Sequence, residues 1–199
     1  MQKSVSRSGM KCGTLLLFTS NINQTNTIMK QTFLTLAALF FASLVAIAQD
    51  DKAKKMPSPP AKAEATIDGV KVTIDYHQPS AKGRKIMGGL VPFGQVWRTG
   101  ANATTSIEFS ADATIEGQKI AKGKYGLYTL PTENEWTIII NKDIKWGAYE
   151  YNEKNDVLRV KVKPGKTAAM VETFTISIDK GIVTLQWENT SASFKIAKG

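Results

Sequence analysis

From Val70 onward the chain alternates apolar and polar side chains with a period of two. Val70, Val72, Ile74 and Tyr76 are interleaved with Lys71, Thr73, Asp75 and His77. A strand points successive side chains to opposite faces, so this pattern suits a sheet with one dry face and cannot give a helix one continuous apolar stripe. The pattern returns at Ile107 and Phe109, at Trp136, Ile138 and Ile140, at Leu158, Val160 and Val162, and at Phe174, Ile176 and Ile178. Val183, Leu185 and Trp187 follow, then Phe194 and Ile196.

Residues suited to sharp reversals separate these segments. Asp68-Gly69 is a tight-hairpin signal, because a primed two-residue turn needs positive φ at both positions. Glu116-Gly117, Lys122-Gly123, Glu133-Asn134, Pro164-Gly165, Lys180-Gly181 and Asn189-Thr190 carry similar turn chemistry. The expectation is all-β: one antiparallel β-sandwich or jelly-roll-like domain of about nine strands over residues 63–199.

The segment before the domain has another character. Phe33 to Ile47 is an almost uncharged apolar run, preceded by Lys30 and closed by Ala46-Ile47-Ala48. A basic residue, an apolar stretch and a small-x-small end make a secretory signal, and the run falls short of the roughly 20 apolar residues that span a bilayer. The reading is a signal peptide over residues 29–48, cleaved after Ala48, with residues 1–28 an upstream extension ahead of the natural start at Met29. Residues 49–62, rich in Lys, Ala and Pro, read as a flexible linker. The protein is thus expected to be exported, periplasmic or secreted, and not integral to a membrane after cleavage.

Removal of the first 48 residues takes away the single cysteine, Cys12, and four cations, leaving 22 basic against 17 acidic residues, a net +5. That excess is too small for a nucleic-acid partner. With no cysteine and one histidine, the mature chain cannot assemble a multi-histidine or thiolate metal centre, and no cofactor motif is present.

Two stretches interrupt the strand rhythm, Gln78 to Asn102 and Asp143 to Asp156. Loops of this length in a compact domain carry function more often than connections do. The first holds Arg84, Trp97, Arg98 and Asn102, and the second Trp146, Tyr149 and Tyr151. His77, the only histidine, stands at the entrance to the first. A guanidinium grips a carboxylate or phosphate with two bonds at once, so Arg84 and Arg98 are the stronger anion candidates, whereas Lys82 and Lys85 read as a solvated basic loop. Trp97 and Trp146 either stack on a ligand such as a sugar ring or plug the sandwich end, and Asn102 either fixes a turn or donates to a ligand. Trp136 and Trp187, on alternating strands, read as core. Glu108, Asp143, Glu150 and Asp156 show no spacing that selects a catalytic pair.

A resemblance sharpens this picture. Pro59-Pro60-Ala61, Pro79-Ser80 with Gly83-Arg84, Val96-Trp97-Arg98-Thr99-Gly100-Ala101-Asn102, Gly123-Lys124-Tyr125-Gly126-Leu127-Tyr128, Trp146-Gly147 and Asp156 together resemble the domain of unknown function 2911, a family of largely exported Gram-negative proteins. The family has no established activity, so the resemblance implies a shared site at these motif positions and no particular reaction. The leading expectation is a ligand-binding or structural module for a carbohydrate or small anionic ligand, using His77, Arg84, Trp97, Arg98, Asn102, Trp146, Tyr149 and Tyr151. The alternative is a hydrolase-like enzyme acting on an envelope carbohydrate or ester through His77 or an acid pair.

Overall fold

A computed structural model describes residues 57–199. The upstream extension, the signal peptide, the cleavage point and the linker up to residue 56 lie outside the described residues. Ten strands follow: β1 (Pro60–Ile67), β2 (Val70–His77), β3 (Ser106–Phe109), β4 (Ala113–Ile115), β5 (Gln118–Ile120), β6 (Gly123–Pro131), β7 (Trp136–Asn141), β8 (Asp156–Val162), β9 (Gly165–Asp179) and β10 (Ile182–Lys198). They form two antiparallel sheets, one of six strands in the order β1-β2-β3-β6-β7-β8 and one of four in the order β5-β4-β10-β9. The fold is an all-β sandwich. No helix among the described residues is long and apolar enough to cross a membrane.

Hairpin chemistry sets the registers. Asp68, Glu116 and Lys180 each take φ 47°, each is followed by a glycine at φ 79–86°, and the flanking pairs Ile67–Val70, Ile115–Gln118 and Asp179–Ile182 close two-residue turns. Positive φ at both turn positions gives the backbone the twist of the strands it joins. With register fixed, alternation delivers Val72, Ile74, Ile107, Leu127 and Ile138 from the large sheet, and Phe174, Val183, Leu185 and Phe194 from the small one, into one core. Burying each such side chain contributes about 1.5–3 kcal/mol. Trp136 and Trp187 are both buried, on the strands where alternation placed them.

Two local readings differ from the structure. β1 begins at Pro60, so Pro60, Ala61 and Lys62 pair with β2 and are not linker. Asn189-Thr190 is not a reversal: Val183 to Trp187 and Phe194 to Ile196 belong to the single strand β10, whose register shifts at Glu188, a residue at φ 55°. A bulge uses the same turn-prone residues to bend a strand without reversing it. The core is complete within the compact unit Met56–Gly199, as in a domain that folds alone.

Candidate functional site

The chain leaving β2 crosses at once from the large sheet to the small one. Phe174 N–H donates to Pro79 O at 2.9 Å and Ala81 N–H to Glu172 O at 2.7 Å, while Tyr76 Oη takes the Ile176 N–H at 3.0 Å. The first long loop is therefore sewn to β9 from its start. Buried Ile86, Met87 and Val91 anchor its middle. At its far end Trp97 exchanges backbone hydrogen bonds with Thr129 of β6, at 2.7 and 2.9 Å, beyond the point where β3 has stopped pairing.

After Trp97 the backbone winds tightly. Thr99 stands at φ 56°, an uncommon state for a β-branched residue. It is held there by Thr105 Oγ1, which donates to Thr99 O at 2.6 Å, and by its own hydroxyl, which donates to Thr129 Oγ1 at 3.2 Å. At Gly100 a Cβ would stand 3.1 Å from both His77 O and Thr105 Oγ1, so only glycine fits without displacement. Trp97 Nε1 donates to Gly100 O at 3.1 Å, locking the indole to the same turn. Strained backbone held by several neighbours marks a place where shape matters.

The second long loop meets this turn. Thr104 Oγ1 donates to Gly147 O at 3.2 Å, and a Cβ on Gly147 would lie 3.5 Å from Arg98 Nη1. The root of the loop is clamped. Asn141 Nδ2 and Tyr151 Oη donate to the two Asp156 carboxylate oxygens, each at 2.7 Å, and Arg159 Nε donates to Oδ2 at 2.6 Å. Burial above all, then the hydrogen bond to Asp156, push the Tyr151 phenol well above its ordinary pKa. Tyr151 also covers Tyr128 on the outer face of the large sheet, ring centroids 5.0 Å apart.

Between the loops lies a cavity of about 510 Å³. Its aromatic wall is Trp97, stacked on Trp187 at 5.9 Å with 19° between the planes. Lys82, Arg84 and Arg98 also line it, with Tyr149 and Leu90, and no carboxylate among the described residues does. The carboxylates nearby in the fold are turned onto backbone: Glu172 accepts from Lys82 N–H and Glu188 from Ile86 N–H. Arg84 is oriented by two carbonyls, donating from Nε to Ala81 O at 2.9 Å and from Nη2 to Ser80 O at 2.7 Å. Arg98 Nε is buried and has no hydrogen-bond partner, the one such side-chain nitrogen or oxygen among the described residues.

Four of the eight residues singled out from the sequence, Arg84, Trp97, Arg98 and Tyr149, line this cavity. The other four stand outside the lining. His77 ends β2 opposite Pro60. Asn102, at φ 57°, donates from Nδ2 to Ser58 O at 3.1 Å and so positions a lining residue. Trp146 is exposed beside Gly147, and Tyr151 belongs to the Asp156 clamp. Four lining residues were read otherwise from sequence, Pro57 and Ser58 as linker among them. Lys82 looked like solvated loop, and Trp187 looked like core, which it is on one face while walling the cavity on another.

The family model of a protein of unknown function, DUF2911, matches residues 58–196. Neither curated proteins nor solved structures give a match.

Proposed function

Because the chain belongs to the DUF2911 family, proteins of unknown function, we propose a function from the cavity alone: an exported binding module that holds a small anion, a carboxylate or phosphate ester, against Trp97. The observation that carries this reading is a cavity lined by Lys82, Arg84 and Arg98 and by no acid among the described residues, with Arg98 Nε buried beside it and without an acceptor. An anion held there would pair with guanidinium groups that no acid among the described residues neutralises. Arg84, already oriented by two carbonyls, presents its remaining donors with little ordering cost. The hydrolytic alternative draws no support from the placement of His77 outside the cavity lining.

Thermal melting in inorganic phosphate, glycerol phosphate and succinate, against chloride at equal ionic strength, tests the reading. An anion at a hundredfold excess over its Kd adds about 2.7 kcal/mol, a rise in Tm of roughly 5–10 °C for a domain of this size. Arg98→Ala should abolish the rise. If no anion moves Tm beyond the chloride control, the reading is wrong. Export is part of the proposal, and N-terminal sequencing of protein from the envelope fraction should begin at Gln49; retention of Phe33 to Ile47 would refute it.

A further inference from the structure

Large apolar side chains that stay exposed are not scattered evenly over this domain. Of the seven among the described residues, Leu90, Ile144, Trp146 and Tyr149 belong to the two long loops, with Trp146 62% and Tyr149 94% exposed, while Val157, Met170 and Ile182 stand on β8, β9 and β10. Leu90 and Tyr149 line the cavity, and Gly147, between the two aromatic residues, abuts Arg98. Two of these four apolar side chains therefore border the cationic cavity, and Trp146 is a chain neighbour of the glycine that abuts Arg98. The same loops carry exposed cations, Lys82, Arg84 and Lys85 in the first and Lys145 and Lys154 in the second, and of these Lys82 and Arg84 line the cavity. The first loop carries no acid, whereas the second carries Asp143, whose Oδ2 accepts from Asn155 Nδ2, Glu150, and Glu153 and Asp156, both paired with Arg159.

We infer that this end of the sandwich docks on an anionic phospholipid surface, with Trp146, Tyr149, Ile144 and Leu90 entering the interfacial layer and a lipid phosphate reaching Arg98. The inference rests on the anion reading of the cavity for its headgroup contact. Trp and Tyr favour the headgroup level of a bilayer, where one edge of the ring is dry and the other wet. Each basic side chain near an anionic leaflet adds attraction that salt screens. A saccharide fits the patch less well: Ile144 and Leu90 offer no flat face to a sugar ring. A phosphodiester, by contrast, supplies the acceptor that Arg98 lacks.

The domain Met56–Gly199 is tested by co-sedimentation with vesicles of phosphatidylglycerol and phosphatidylethanolamine, and of phosphatidylcholine alone. Glycerol phosphate serves as the free probe, and soluble peptidoglycan fragments as the saccharide probe. Binding to the anionic vesicles should be at least tenfold tighter than to neutral ones and should shift tryptophan emission to shorter wavelength. Replacing both exposed aromatics, Trp146→Ser with Tyr149→Ser, should weaken vesicle binding at least tenfold while glycerol phosphate still binds, and Arg98→Ala should weaken both. Glycerol phosphate binding without vesicle binding overturns the membrane inference and leaves the cavity reading standing. Vesicle binding undiminished in the double aromatic variant overturns it as well, as does an emission change driven by the saccharide without vesicle binding. If neither glycerol phosphate nor vesicles bind, the cavity reading itself falls and takes this one with it.

Discussion

Arg159 and Arg98 both border the loop that joins β7 to β8, one at its root and one beneath its tip. At the root Arg159 is engaged through two nitrogens: Nε with Asp156 at 2.6 Å, Nη2 with Tyr151 Oη at 2.6 Å and with Glu153 at 3.3 Å. Burial disfavours its charge, yet the bonds to Asp156 and Tyr151 outweigh that and raise its pKa. Beneath the tip, Arg98 has no ion-pair partner among the described residues and keeps a buried nitrogen idle. A cation with its donors used holds the fold together. One held beside a cavity with a donor unused is available to something else, and Gly147 of the same loop, tied by its carbonyl to Thr104, lies against it.

The largest effect should fall at the root. Asp156→Ala removes the acceptor of three hydrogen bonds, those of Asn141, Tyr151 and Arg159 Nε, an expected loss of about 3 kcal/mol in denaturant midpoint measurements. A loss below about 1 kcal/mol would mean that the root is not a clamp.

A smaller effect should appear with pH at Tyr151. Its folded pKa is raised, so above roughly pH 10 the unfolded chain sheds a proton that the folded one keeps. Its contribution is then whole below the unfolded value and declines as pH rises toward the folded one. Tyr151→Phe should accordingly lose less stability than the native protein between about pH 9 and 11. Parallel curves would show that the phenol's surroundings are the same in both states.

The smallest effect is expected at Arg98. Arg98→Ala should change stability by no more than about 0.5 kcal/mol in the absence of anions, since no partner is left unpaired. A loss comparable to that of Asp156→Ala would erase the contrast and make Arg98 a structural bolt.

Some of this was readable from residues alone and some was not. Alternation at Val70 to Tyr76 required a strand with one dry face, and Asp68-Gly69 required a two-residue reversal; both are local demands of backbone geometry. The length and composition of the two loops marked where to look, and Arg84, Trp97, Arg98 and Tyr149 do share a cavity. Tyr151, equally prominent in the sequence, turned instead to Asp156, because a phenol beside an acid and an arginine forms its bonds within its own loop. Trp187 was legible only as core, since alternation gives the face of a strand and not what else arrives at its edge.

The sequence by itself determined that the chain reverses at its Asp-Gly, Glu-Gly and Lys-Gly pairs, which faces of its strands are apolar, and that the domain carries no thiol. These follow from each residue's own φ preference, side-chain period and chemistry. Only the tertiary structure decided which cations kept their donors, because pairing depends on atoms brought within 3 Å from positions far apart in the chain. Asp156 reaches Arg159 from three residues away, whereas Arg98 lies against Gly147 and shares its cavity with Pro79 and Trp187. No local pattern encodes that meeting.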